Sequence, residues 1–144
     1  MKLRSFLLAA AALLVSTTAE AQANIVRTQL DSAVVLMRGQ GFVPLDDAVT
    51  GTLAAGQDEE FEIDLEAGVT YMVVGVCDGG CSDLDLVLSD DDGDEIEADR
   101  ELDDVPMLAI ENTSNVEAVL KVQMATCSTA QCHYGVRVFR SGGK

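Results

Sequence analysis

Residues 60–66 read EFEIDLE. Phe61, Ile63 and Leu65 alternate with acids, and a period of two fits an extended strand with one apolar face and one wet face. The same signature recurs along the chain. Leu84, Leu86 and Leu88 alternate around Asp85, and Val116, Ala118, Leu120, Val122 and Met124 share one face of a later strand. Tyr134, Val136 and Val138 line the last one. Thr70 to Cys77 is apolar almost throughout, as a central strand would be, and Val105 to Glu111 is a further strand. Asp92-Gly93 is a tight-turn signal for a hairpin. Short strands at this spacing, with no helix between them, predict an all-β antiparallel sandwich.

Only the region before these strands has a helical period. From Ala23 to Arg38, Ile25, Val26, Leu30, Ala33, Val34 and Met37 fall on one side. Asn24 is placed to cap the start, and Gly39 and Gly41 to end it, because glycine accepts the left-handed conformation at a helix end. The expected architecture is therefore one short amphipathic helix, residues 24–41, followed by a sandwich domain.

Residues 1–23 carry a different pattern. Lys2 and Arg4 precede an apolar stretch from Phe6 to Val15, and Ala19-Glu20-Ala21 and Ala21-Gln22-Ala23 both resemble export cleavage sites. This is the pattern of a secretory signal peptide, too short in its apolar part to span a bilayer comfortably. The expectation is a periplasmic or secreted protein with no membrane insertion after cleavage.

The chain carries a formal net charge of −16. Nineteen of its acids, against the single base Arg100, lie between Asp58 and Asp104. Such a field repels nucleic acid and anionic lipid and attracts cations. A nucleic-acid partner is excluded on this ground, and the simplest role of the charge is solubility.

Several of these segments together resemble the bacterial pre-peptidase C-terminal domain. Gly51-Thr52-Leu53 corresponds to its opening G-x-L. The strand leading to Gly68 and Tyr71 corresponds to its a-G-x-x-Y, Asp83-Leu84-Asp85-Leu86 leads to the turn at Gly93, and Tyr134, Val136 and Val138 close the pattern. The resemblance covers residues 51–140. It implies a compact β-sandwich, jelly-roll-like in form, and an accessory or binding role outside the cell. This chain has no peptidase, and it adds a helix and two cysteine loops.

Those loops hold Cys77 and Cys81 in one and Cys127 and Cys132 in the other. Four cysteines in an exported chain favour two disulfides. The C-x3-C and C-x4-C spacings fit neither a thioredoxin-like C-x2-C site nor the usual C-x2-C zinc turn, although a four-cysteine zinc site near His133 is an alternative. The local pairs, Cys77–Cys81 and Cys127–Cys132, are favoured. The loops at 77–83, 100–104 and 127–132 are expected at one end of the sandwich, so pairing between loops is geometrically conceivable.

An EF-hand would need an oxygen ligand at its first position. With Gly93 sixth in such a loop, that position is Leu88, so "SDDDGDE" is an acidic hairpin turn. Calcium held weakly by acids from several loops, such as Asp78, Asp83, Asp103 and Asp104, stays an alternative. There is one histidine, His133, and no G-x-S-x-G, H-E-x-x-H or glycine-rich phosphate loop. Asn112-Thr113-Ser114 matches a glycosylation sequon and is read as a turn.

The sequence thus points to an exported, non-enzymatic binding or accessory module with an unknown protein or glycan partner and no cofactor. A calcium-stabilised structural or adhesive domain is the alternative, and a small secreted hydrolase the third reading.

Overall fold

The computed structural model describes residues 8–142, with side chains from residue 18 onward. One helix, α1 (Leu8–Gly39), precedes nine strands. They are β1 (Phe42–Pro44), β2 (Val49–Leu53), β3 (Asp58–Leu65), β4 (Thr70–Cys77), β5 (Cys81–Asp90), β6 (Glu95–Asp99), β7 (Met107–Glu111), β8 (Val116–Cys127) and β9 (Cys132–Ser141). All pairings are antiparallel.

The strands form two sheets. One runs β1-β9-β4-β7, with β2 also on the outer side of β9. The other runs β3-β8-β5-β6. Orders 2-9-4-7 and 3-8-5-6 in facing sheets make a jelly roll. Inward-pointing Tyr71, Val73, Leu84, Leu86, Leu88, Leu120, Val122, Met124 and Tyr134 fill the space between the sheets. Each fully buried aliphatic side chain of this size contributes about 1.5–3 kcal/mol before entropy is counted.

Helix α1 forms a third layer. Val26, Leu30, Ala33 and Met37 pack on Val74, Val76 and Phe139, which point out from the first sheet. This is why β4 is apolar on both faces: one faces the core and the other faces α1. The approach is close enough to require glycine in β9. A Cβ on Gly135 would lie 2.6 Å from Leu30 and 2.7 Å from Val26.

The helix differs from its predicted extent. It starts at Leu8 instead of Ala23, because the alanine-rich segment before it contains nothing to stop helix propagation. Asn24 is consequently inside the helix and does not cap it. Its carbonyl accepts the Thr28 hydroxyl at 2.9 Å, and its side-chain oxygen accepts from Arg27 at 3.2 Å. Ile25 points to solvent. Among the described side chains the buried face begins at Val26, and the segment that packs there is the predicted one. At the other end, Gly41 has φ of 89°, and its N–H donates to the Arg38 carbonyl at 3.1 Å. Lys2, Arg4 and Phe6, at the front of the signal-peptide pattern, lie outside the described residues. Among the described residues no helix is long and apolar enough to cross a membrane.

Candidate functional site

Strands β4, β6 and β8 end at one pole of the sandwich, and β5, β7 and β9 start there. The loops at 78–80, 100–106 and 128–131 are therefore neighbours. Cys77 is bonded to Cys81 and Cys127 to Cys132, and no free cysteine is present among the described residues. Both bonds are local. The turns they close are also joined to each other: the Ser128 N–H and hydroxyl both donate to the Gly80 carbonyl, at 2.8 and 3.0 Å.

Asp78 lies between these turns and is 4% exposed. A carboxylate so buried needs donors. It has them in the N–H of Gly80 at 3.0 Å, the N–H of His133 at 2.7 Å and the His133 Nδ1 at 3.2 Å. The only histidine thus fastens the β9 start to the β4–β5 turn.

The third loop crosses from β6 to β7 and is braced throughout. Asp99 accepts the N–H of Glu101 at 3.1 Å and that of Met107 at 2.9 Å. Asp103 accepts the Val105 N–H at 3.0 Å through its side chain, and the Leu84 N–H at 3.0 Å through its carbonyl. Pro106 is buried against Gly75, whose N–H donates to the Pro106 carbonyl at 2.9 Å. The Asp104 carbonyl lies 3.7 Å from the Cys77 sulfur. The loop is short of freedom, yet it holds Leu102 88% exposed. Val105, Met107 and Ile96 of β6 are exposed as well. A rigid loop presenting an uncovered leucine among Glu101, Asp103 and Asp104 loses little entropy on binding.

The acids considered for calcium do not converge. Asp78 spends its oxygens on His133 and Gly80, and Asp103 spends one on Val105. Asp83 is buried on β5, and Asp104 is exposed. Among the described residues no group of three or more histidine, cysteine, aspartate or glutamate side chains is placed to hold a metal. The Asp90–Asp94 segment is a hairpin turn in which Asp90 accepts the N–H groups of Asp92 and Asp94, at 3.1 and 2.8 Å, with Gly93 at φ 87°.

The residues that resemble the pre-peptidase C-terminal domain have identifiable structural work. Gly51 lies under the Tyr134 ring, 2.9 Å from where its own Cβ would be. Gly68 takes φ of 76° in the β3–β4 turn, and the Tyr71 hydroxyl accepts the Glu66 N–H at 2.9 Å to close it.

Leu102 was not singled out by the sequence. The signal available was one aliphatic residue inside the polar run Arg100-Glu101-Leu102-Asp103-Asp104, shortly before a proline.

No protein-family model and no curated protein matches the chain. Among solved structures it is similar to PliG from Aeromonas hydrophila, a periplasmic lysozyme inhibitor of g-type lysozyme. The TM-score is 0.47 and the identity 11%, over 65% of this chain and 84% of that one.

Proposed function

We propose that this chain is an exported, non-enzymatic module that binds a protein partner through its disulfide-bearing pole, with Leu102 as the anchoring side chain. The observation that carries this reading is the 88% exposure of Leu102 on a loop otherwise fixed by hydrogen bonds. Burying such a side chain in a partner's pocket gains about 1.5–3 kcal/mol without the cost of first ordering the loop. The acids around it select a pocket with a basic rim.

Export is supported by the signal-peptide pattern of residues 1–23 and by two disulfides, which persist in oxidising compartments. The likeness of residues 51–140 to the pre-peptidase C-terminal domain supports an accessory role. The residues it rests on are Gly51, Tyr71, the Asp83–Leu86 run and Tyr134.

The test is a Leu102→Asp variant exported from the native host beside the wild type. A partner that co-purifies with the wild type should be lost from the variant, with the melting temperature unchanged because Leu102 is 88% exposed. Equal recovery by both proteins would remove Leu102 from the binding face.

A further inference from the structure

The opposite edge of the sandwich is incompletely closed. β9 has two short partners there: β1 pairs with it as far as Pro44↔Phe139, and β2 starts at Val49↔Val136. Between them the chain leaves the sheet as Leu45-Asp46-Asp47-Ala48, held by the Leu45 N–H to the Val138 carbonyl at 2.9 Å. The facing edge strand is β3 of the other sheet. Its inward side chains Phe61 and Ile63 stay half-buried, although they sit on the core face.

The result is a cleft of about 350 Å³ between the two sheet edges. Its floor is apolar: Phe61, Ile63, Val136 and Val138. Its margin carries Asp46 and Asp47 of the loop, and Glu62 and Asp64 border it from the outer face of β3. Among the described residues none of these four carboxylates receives a side-chain hydrogen bond. Polar links between the sheets bracket the cleft. Toward one end the buried Tyr134 hydroxyl donates to Glu59, and toward the other Arg140 pairs with Glu66 at 3.3 Å. Among the described residues none of the four carboxylates along the cleft is in a salt bridge.

We infer that this cleft is a binding site for an organic cation with an apolar body: an ammonium or guanidinium group carried on an aliphatic or aromatic stem. The volume lies within the range of small-molecule sites. An apolar floor takes the stem while the acids take the head, the arrangement that a lysine or arginine chain adopts at a surface. An anion of the same shape is repelled by the margin, and a neutral molecule forgoes the charge. The site is separate from the Leu102 loop and does not depend on that reading.

The same chemistry is available from a free amphiphile or from a basic side chain of a peptide. Octylammonium chloride, sodium octanoate, octanol and acetyl-Leu-Lys-Leu-amide are titrated into the full chain and followed by amide NMR shifts. Octylammonium or the peptide should saturate shifts at Val49, Phe61, Ile63 and Val138, and the tighter of the two names the source. Octanol should bind about tenfold more weakly and octanoate not at all. The Asp46→Asn/Asp47→Asn double variant alters only exposed loop residues. It should weaken the cation about tenfold and leave octanol unchanged. Equal affinity for cation and alcohol, no effect of the double variant, or shifts confined outside the cleft would overturn the assignment.

Discussion

Cys81 and Cys127 stand directly opposite each other in register across β5 and β8, yet each is bonded within its own turn, to Cys77 and Cys132. Directly paired antiparallel residues are close enough for their side chains to meet. The local pairing is therefore chosen among near neighbours. Each bond closes a very short loop and stabilises by about 2 kcal/mol in the chain-entropy picture. The Cys77→Ser/Cys81→Ser double mutant should fold with a lowered melting temperature, while the β5–β8 pairing persists. Non-reducing peptide mapping should recover Cys77 with Cys81 and Cys127 with Cys132. Peptides joining Cys81 to Cys127 would refute the local arrangement.

Gly135 sets the distance between α1 and the first sheet. In Gly135→Ala the new Cβ meets Leu30, which can rotate away, and Val26, which is stiff because it is β-branched. Overpacking of this kind costs about 1–3 kcal/mol. The variant should expose α1, so trypsin should cut after Arg27 and Arg38 faster than in the wild type while the sheets remain protected. Equal cleavage rates would mean that α1 does not depend on this approach.

Asp85 should be a source of instability at neutral pH. Burial raises its carboxyl above the ordinary range, Asp83 and Asp99 add to this, and Arg100 opposes it. The Oδ1 atoms of Asp83 and Asp85 are both buried without a hydrogen-bond partner. A carboxyl raised by folding makes the native state the better proton binder. Its contribution therefore improves as pH falls from the raised value toward the unfolded value near 3.9, and is worst above that window. Asp85→Asn should raise stability at pH 7 by less than about 1 kcal/mol, kept small by solvent screening. The gain should shrink toward pH 4, and a gain that is constant with pH would assign it to something other than charge.

If residues 1–23 are removed on export, the packed face of α1 described from Val26 onward is retained. Mass spectrometry of the protein from its native host should find a start at Gln22 or Asn24. The shortened chain should melt within a few degrees of the full one. A mature species that retains Met1 would contradict export by cleavage.

Period two located β3 and β8, which have one face in the core and one polar face. It located β5 and β9 through the alternation of Leu84, Leu86 and Leu88 and of Tyr134, Val136 and Val138, although their other faces are partly covered. β4 was legible instead as a near-continuous apolar run, because α1 covers its second face. Period two could not locate β1 or β2. Phe42–Pro44 is three residues long and includes a proline, and Val49–Leu53 is mostly exposed. Both are strands because β9 offers them an unpaired edge, which is a tertiary fact. The glycines are similar. Gly51 and Gly135 have meaning only once Tyr134 and Leu30 are placed against them. The cysteine turns were legible from compartment and spacing. Leu102 and the edge cleft were not, since one depends on what fails to cover a loop and the other on where two short strands part.

The most direct test of the binding face is photocrosslinking at single sites in the native host. A photoreactive phenylalanine analogue is placed at Leu102 and, as control, at Val35, which is 75% exposed on α1. A protein-binding pole predicts a discrete adduct of one added mass at position 102 and none at position 35. It also predicts loss of that adduct when Glu101, Asp103 and Asp104 are replaced by their amides. No adduct at position 102, or the same adducts at both positions, would contradict the account.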